Sequence, residues 1–340
     1  MIFRNVEIYN AAELYEGETA NSVRWYRVPS AVRDKMESDA GRTMCRAATG
    51  VELRFVMESD AVTIRMRTTD KNDPFGIFHV YRGSIQGGWQ DHEVDKIVGT
   101  EYHDYVIRKS ENLKTLQKIT DEFEYPFSPE VVRVIFDRGE FEILDIIGDV
   151  RPPKKEELPK KTLLTYGSSI THGSNAFYMS NALASVLAHG LRMDVRNLGM
   201  AGSCLMEPSV IDYIAAEGEK NRWDIAILEL GINVLSWEEE KIISRVENAI
   251  REVAGRNPEK SVYVISPLYN KDDYEEKGQS EKWRRLIGEV VEKLAYKNVT
   301  YINGRTVVGD MSYISADEVH PNIYGSEHIA IVLLPIIQHT

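Results

Sequence analysis

Apolar and polar residues alternate through much of the first 150 residues of the chain. Residues 51–57 show this alternation, as do residues 62–67, and residues 58–60 between them are typical of a turn. The pattern predicts a β-hairpin with one face in a core. Further strands are predicted at residues 76–82, 102–108, 131–136 and 141–148. Many short strands separated by turns, without a clear helical period, predict an all-β sandwich of jelly-roll type over residues 1–150.

The pattern changes after residues 151–160, a charged segment with three prolines that we interpret as a linker. Residues 161–340 alternate short apolar runs with segments of helical period. The predicted strands are 163–166, 194–198, 225–230, 261–267 and 299–302, and the predicted helices are 175–191, 208–217, 238–256, 280–296 and 323–337. Apolar strands separated by helices predict a parallel sheet covered by helices on both faces.

The net charge and the apolar segments of the chain indicate which kinds of molecule the protein binds and where it is located. The formal net charge is −12 over 340 residues, which does not favour binding to nucleic acid phosphates or to an anionic membrane. The first residues lack the basic segment and apolar core of a signal peptide, and no apolar run reaches the length of a membrane span. We therefore expect a cytoplasmic protein that acts on a small, uncharged molecule.

The two cysteines, Cys45 and Cys204, give neither a disulfide framework nor a zinc-binding spacing. We expect both to be buried free thiols. The histidines also lack a convincing ligand spacing, so we predict neither a metal nor a cofactor.

A hydroxyl-rich turn, Gly167-Ser168-Ser169-Ile170-Thr171-His172-Gly173, follows the first strand of the second half. A turn between a buried strand and a helix start suits a nucleophilic serine, because it lifts the hydroxyl above the sheet edge beside unpaired N–H groups. The same turn is also compatible with a phosphate cradle or with a simple tight connection.

Three later segments also fall where ligands bind in such a sheet, beyond the carboxyl ends of the strands. They are Asn197-Leu198-Gly199-Met200-Ala201-Gly202, Gly231-Ile232-Asn233 and Asp317-Glu318-Val319-His320-Pro321. Taken singly, each has an ordinary reading as a turn or a solvent-facing loop. The occurrence of all four segments in this order favours an active site.

The four segments resemble the conserved blocks of the SGNH, or GDSL-type, esterase and acylhydrolase superfamily. The resemblance spans the second half of the chain and implies a three-layer α/β/α domain of flavodoxin-like type. A preceding β-sandwich resembles, more loosely, a two-domain subgroup that includes carbohydrate esterases and some acyltransferases. The chain departs from the family at Ser168, where the family usually has Asp. That Asp is not the acid of the triad, so the chemistry should survive.

The resemblance implies a Ser169–His320–Asp317 triad. Ser169 would be the nucleophile and His320 the base, because a serine hydroxyl reacts poorly unless a base accepts its proton. Asp317, three residues before His320, would fix the imidazole tautomer. The oxyanion donors implied are the N–H groups of Ser169 and Gly202 and the side-chain amide of Asn233.

Other residues near these segments can each be interpreted in two ways. His172 either lines the pocket or supports the turn, and we favour support. Several aromatic residues either line a sugar or acyl site or belong to the core, and we favour the core: Phe177, Tyr178, Trp237, Tyr269 and Trp283. The charged segment 271–277 either rims the pocket or is a solvated loop, which is the simpler reading.

Three functions remain open from the sequence. The first is a serine esterase that removes short acyl groups, most simply acetyl, from a sugar or another small alcohol. The second is an acyltransferase that passes the same acyl group to an alcohol. The third is a glycan-binding protein with an idle hydrolase domain. An assembly of identical chains is compatible with each of them.

Overall fold

The computed structural model describes residues 1–70, 74–89, 93, 94 and 96–338. Residues 339 and 340, at the end of the predicted second domain, lie outside this set. The chain forms two compact units. The first comprises Met1–Pro29, Arg46–Lys160 and Arg192–Asp194, and the second comprises Ser30–Cys45, Lys161–Leu191 and Val195–Thr340. Residues 30–45 thus lie in the second unit, although their place in the sequence falls within the predicted first domain.

The described strands are β1 (Ile2–Phe3), β2 (Val6–Tyr9), β3 (Glu13–Glu16), β4 (Val23–Tyr26), β5 (Glu52–Met57), β6 (Ala61–Thr68), β7 (Gly76–Arg82), β8 (Ile85–Gln86), β9 (Lys96–Val98), β10 (His103–Arg108), β11 (Val131–Phe136), β12 (Phe141–Ile147), β13 (Val150–Arg151), β14 (Thr162–Tyr166), β15 (Asp194–Asn197), β16 (Ile225–Glu229), β17 (Ser261–Ile265) and β18 (Val299–Ile302). The described α-helices are α1 (Ser30–Arg33), α2 (Asp39–Met44), α3 (Leu113–Phe123), α4 (Ser169–His172), α5 (Leu183–Gly190), α6 (Pro208–Glu219), α7 (Glu239–Gly255), α8 (Ser280–Leu294), α9 (Gly304–Val308) and α10 (Ile323–Gln338).

The first unit is a sandwich of two antiparallel sheets, as the strand pattern predicts. One sheet has the order β1-β2-β5-β11-β7-β8, with β13 beside β5 and β9 beside β7, and the other has the order β10-β6-β12-β4-β3. Side chains from both sheets share a single core, whose large buried members include Trp25, Phe55 and Phe136. This shared core is what holds the two sheets face to face.

The predicted hairpin between residues 51–57 and 62–67 is wrong. β5 pairs with β2, β11 and β13, whereas β6 pairs with β10 and β12 in the other sheet. The predicted turn therefore carries the chain from one sheet to the other. Alternation of apolar residues fixes which face of a strand is buried, but it does not specify the strand alongside.

The prediction of an all-β first segment also omits three helices. α1 and α2 belong to the second unit, and α3 lies in the first. Along α3 only Thr120 is buried. Leu113, Leu116 and Ile119 are half-buried and recur every three residues, which is a helical spacing that the strand prediction overlooked.

The second unit is built on a five-stranded sheet in the order β15-β14-β16-β17-β18. The pairs β14–β16, β16–β17 and β17–β18 are parallel. Numbered within this sheet, the order is 2-1-3-4-5, which is that of flavodoxin-like folds and confirms the predicted α/β class. The order reverses at β14, so the rule for such sheets places a ligand at the carboxyl ends of β14 and β16.

Helices cover this sheet in two groups. α5 packs against α10, while α6 packs against α7 and α7 against α8. The predicted helix at residues 175–191 begins only at Leu183, because Gly173 and Asn175 have positive φ angles and a short 3₁₀ turn, Met179–Asn181, precedes it. The segment between α4 and α5 is therefore a loop that lies beside the candidate site.

Candidate active site

Ser169 is the first residue of α4, three residues after the end of β14. Ser168 caps this short helix, since its backbone is extended and its hydroxyl accepts a hydrogen bond from the N–H of Ile170 at 3.1 Å. Ser168 is fully buried, whereas Ser169 is only partly covered. The local structure thus presents the Ser169 hydroxyl at the carboxyl edge of the sheet.

The structure brings together the three residues predicted to form the triad. His320 Nε2 lies 2.6 Å from Ser169 Oγ, and His320 Nδ1 lies 2.9 Å from Asp317 Oδ2. This is the order of contacts in which an imidazole accepts the serine proton while a carboxylate holds the tautomer and stabilises the resulting cation.

The Asp317 carboxylate is held by its own loop. Its Oδ1 accepts hydrogen bonds from the backbone N–H groups of Val319 at 3.0 Å and His320 at 2.9 Å. Partial burial raises the pKa of Asp317, but these bonds and those from side chains outweigh burial and hold the pKa well below its ordinary value. The carboxylate therefore stays ionised beside the imidazole.

Asn175 is a site residue that the sequence prediction omits. Its Nδ2 donates to Asp317 Oδ2 at 2.6 Å and to Ser315 Oγ at 2.9 Å. Asn175 has φ = +65°, a conformation that Asn tolerates better than most residues. An Asn shortly after the serine turn is the only signal in the sequence, and it does not reveal a contact with residues 315–317.

Two of the three predicted oxyanion donors, Gly202 and Asn233, lie on loops joined by a hydrogen bond, whereas the N–H of Ser169 begins α4. Gly202 has φ = +63°, and a Cβ added there would meet no protein atom within 4 Å. Asn233 follows β16 in a 3₁₀ turn, and its Oδ1 accepts the N–H of Cys204 at 3.0 Å. This bond ties the two loops together and orients the amide so that Nδ2 is its available donor.

The glycine segment packs closely against α4. A Cβ on Gly199 would lie 2.5 Å from the Cα of His172, so only glycine fits there. His172 is buried, and its Nδ1 lies 3.1 Å from the carbonyl oxygen of Gly199. Asn197 donates to the carbonyl of Thr171 at 2.7 Å. His172 therefore supports the serine turn, which is the role that we favoured over lining the pocket.

Glu229, the last residue of β16, is a second residue that the prediction omits. Its carboxylate lies directly behind the serine turn and accepts the N–H of Ser168 at 2.7 Å. The Ser168 hydroxyl lies 2.7 Å from Oε2, and the Thr171 hydroxyl lies 3.1 Å from it. A charged residue closing an otherwise apolar strand is the sequence signal that points to this position.

The predicted aromatic and charged candidates separate into different environments. Trp283 is buried and donates to the carbonyl of Leu235 at 3.1 Å, whereas Phe177 is largely exposed. Tyr269 stacks on Tyr274. Trp237 lies under the ammonium of Lys241 and Tyr178 contacts Phe177 edge-on. These aromatic residues therefore do not form one common cluster.

The charged loop after β17 is not simply solvated. The Asp273 side chain is buried against Arg284, with Oδ2 2.7 Å from Nη2. The N–H of Lys271 donates to the carbonyl of Glu318 at 2.8 Å, which joins this loop to the segment that carries the triad acid and base.

Three further features concern metal ligands, membrane spans and thiols. Among the described residues, no group of three or more His, Cys, Asp or Glu side chains is arranged to hold a metal ion. None of the helices within that set is both long and apolar enough to cross a membrane. Cys45 and Cys204 are both buried and are not joined in a disulfide, as expected.

Comparison with known proteins identifies a family and a fold. The model of the GDSL-like lipase/acylhydrolase family matches residues 160–338. No match was found among proteins of curated function.

Three of the solved structures that resemble the chain are 13–18% identical to it. A salicylyl-acyltransferase from a tetracycline biosynthetic pathway has a TM-score of 0.73 at 15% identity, over 98% of this chain and 94% of that one. A putative GDSL-like lipase from Bacteroides ovatus has a TM-score of 0.67 at 18% identity, over 92% and 91%. A family two carbohydrate esterase from Cellvibrio japonicus has a TM-score of 0.64 at 13% identity, over 99% and 95%.

Proposed function

The chain belongs to the GDSL-like lipase/acylhydrolase family, a family of serine ester hydrolases, and we propose that it removes short acyl groups, most simply acetyl, from a carbohydrate. The observation that carries the proposal is the continuous chain of contacts from Ser169 Oγ through His320 to Asp317. Such a chain supplies a nucleophile, a base and a group that orients the base.

In the first half of the reaction, Ser169 Oγ attacks the ester carbonyl carbon while His320 Nε2 takes the hydroxyl proton. The carbonyl oxygen becomes an oxyanion, and the imidazolium that forms is stabilised by the ionised Asp317. Collapse of the tetrahedral intermediate breaks the bond to the alcohol oxygen. His320 returns the proton to that oxygen, so the alcohol leaves neutral and Ser169 carries the acyl group.

The oxyanion needs donors that are already in place. Ser169 N–H, Gly202 N–H and Asn233 Nδ2 are the groups we assign to this task. Loss of one such donor typically costs about 3–4 kcal/mol of transition-state stabilisation. The bond from Cys204 N–H to Asn233 Oδ1 supports the assignment, because it fixes the side-chain amide before substrate binds.

In the second half, water replaces the alcohol. His320 takes a proton from the water as its oxygen attacks the acyl carbon, and then returns the proton to Ser169 Oγ. The acid is released and the enzyme is restored. No step requires a metal or an organic cofactor.

The proposal that the alcohol portion of the ester is a carbohydrate rests on similarity of fold. The fold of the chain resembles that of the carbohydrate esterase from Cellvibrio japonicus along 99% of the length of the chain. The net charge of −12 suits a neutral alcohol better than an anionic one. The cytoplasmic location expected from the sequence stays a prediction.

The test compares wild type, Ser169→Ala and the matched control Ser174→Ala. Acetyl, butyryl and longer esters are assayed first, and acetylated sugars follow. We expect turnover that falls with acyl length and is lost in Ser169→Ala but kept in Ser174→Ala. Equal rates for wild type and Ser169→Ala would remove Ser169 from the mechanism. Failure of a fluorophosphonate to label Ser169 would favour the glycan-binding alternative.

Acyl transfer to an alcohol is a second candidate. The observation that raises it is the fold similarity to a salicylyl-acyltransferase over 98% of the chain. Transfer uses the same acyl-enzyme and differs only in whether water or an alcohol attacks it. Product analysis with alcohol acceptors separates the two, since a transferase yields a new ester and a hydrolase yields the free acid.

A further inference from the structure

The carboxylate of Glu229 is surrounded by groups of the serine turn. Both the N–H and the hydroxyl of Ser168 lie 2.7 Å from Oε2, and the hydroxyl of Thr171 lies 3.1 Å from the same atom. Gly167 makes room for the carboxylate, because a Cβ at that position would lie 2.6 Å from Oε2 and also collide with the Thr171 hydroxyl. Gly167 thus leaves space for the Glu229 side chain, and Ser168 and Thr171 donate hydrogen bonds to it.

The surroundings of this carboxylate are unusual for a buried acid. Glu229 is 2% exposed. None of the described lysines and arginines forms an ion pair with it, and the partners found for it are hydroxyl and backbone N–H groups. Burial raises the pKa of Glu229, and the hydrogen bonds from Ser168 and Thr171 lower it only in part. Burying an acid in this way costs stability, which calls for a functional reason.

Ser168 links the Glu229 carboxylate to the nucleophile. Its hydroxyl caps α4 through the N–H of Ile170, and its peptide leads directly into Ser169. We propose that Glu229 is a positioning residue that acts through Ser168 to fix the Ser169 hydroxyl and N–H in their reactive geometry. The inference rests on the proposed function, because it assigns Glu229 a role in the same serine chemistry.

The pair Ser168–Glu229 also accounts for the departure of this chain from its family at residue 168. A hydroxyl at 168 can donate to the carboxylate behind it, whereas an Asp there would place two carboxylates in one buried site. If residue 229 carried a side-chain amide, that amide could donate a hydrogen bond to an Asp at residue 168. Asp would also still accept the N–H of Ile170, since Asp is a good N-cap.

The experiment measures the second-order rate of Ser169 labelling by a fluorophosphonate, which requires no knowledge of the substrate. We expect labelling to slow about 100-fold in Glu229→Ala, the scale of loss caused by a misplacement of about 1 Å. With an active ester, kcat should fall while KM stays near the wild-type value. Ser168→Asp should also lose labelling. The double variant Ser168→Asp/Glu229→Gln should regain about tenfold over Ser168→Asp, equivalent to one restored hydrogen bond to a charged group.

Glu207 supplies the matched control. It is also a buried glutamate of the second unit, and it accepts the N–H groups of Glu37 and Ser38 at 2.6 and 3.2 Å, at the start of α2. Glu207→Ala should lower the thermal unfolding temperature but leave the labelling rate of folded protein unchanged.

Wild-type labelling in folded Glu229→Ala would overturn the inference, as would a double variant no faster than Ser168→Asp. If Glu229→Ala does not fold, the comparison of the two Ser168→Asp proteins decides. Absence of labelling in the wild type would instead contradict the proposed function.

Discussion

At the scale of single residues, Asn175 makes the contact with the clearest consequence. It is a side chain outside the triad that donates to the triad carboxylate, at 2.6 Å. Asn175→Ala should raise the pKa of Asp317 toward its ordinary value, because one donor to the ionised form is lost. The imidazole of His320 would then be held less firmly by the carboxylate. We expect kcat to fall about tenfold, the equivalent of one hydrogen bond to a charged group.

The control for this prediction is Asn303→Ala. Asn303 caps α9 by accepting the N–H of Arg305 at 3.0 Å, so its loss should cost about 1 kcal/mol of stability and leave kcat unchanged. A kcat of Asn175→Ala equal to that of the wild type, measured by steady-state kinetics, would show that the triad does not depend on this amide.

The sequence identifies residues with an intrinsic chemical role better than residues that support them. Ser169, His320 and Asp317 stand in recognisable short segments, and the structure places them in contact. Glu229 and Asn175 contact these segments across 61 and 142 residues of chain. No local spacing encodes such contacts, so only the fold reveals them.

At the scale of elements, the loop after β17 owes its shape to Arg284 on α8. This buried side chain donates to the carbonyls of Pro267 and Leu268, each at 2.7 Å, and to Asp273. Arg284→Ala should lower the free energy of unfolding by about 3 kcal/mol, because it leaves the buried Asp273 carboxylate with only the more distant guanidinium of Arg305, at 3.5 Å. It should also lower kcat, because the loop is bonded through Lys271 to the segment that holds Asp317.

The neighbouring Arg285 gives the matched comparison. It pairs with Glu289 on the exposed side of the same helix, at 2.8 Å. Arg285→Ala should cost only about 0.3–0.5 kcal/mol. Urea unfolding followed by fluorescence measures both variants, and equal midpoints for the two would refute the role given to Arg284.

The hydrophobic pattern of the sequence predicts some helices and strands better than others. The five strands of the parallel sheet are found within two residues of their predicted ends, because buried parallel strands are continuous apolar runs bounded by turns. The pairing of β5 and β6 is not encoded in this way, since many partners satisfy the same alternation. The late start of α5 depends on the positive φ angles of Gly173 and Asn175, which hydrophobic periodicity does not report.

At the scale of the whole molecule, the second unit is discontinuous in sequence. Residues 30–45 belong to it, and the N–H groups of Glu37 and Ser38 satisfy the buried carboxylate of Glu207. A chain truncated to residues 161–340 should therefore be less stable, by about 3 kcal/mol, than the same chain with residues 30–45 attached, because it loses two hydrogen bonds to a charged group.

Thermal unfolding of the truncated chain, with and without residues 30–45 attached at its start through a flexible linker, measures this effect. The attached segment should restore stability, whereas a scrambled segment of the same composition should not. A truncated chain as stable as the repaired one would show that residues 30–45 are dispensable.

The divided second unit also has a consequence for biosynthesis. α2 leaves the ribosome early, long before Glu207 and α6 have been translated. Its docking site does not yet exist, so this segment has to wait undocked while the sandwich strands that follow it emerge. Slowing translation near residue 160 would prolong that interval and lengthen the time in which chaperones and proteases can reach the segment.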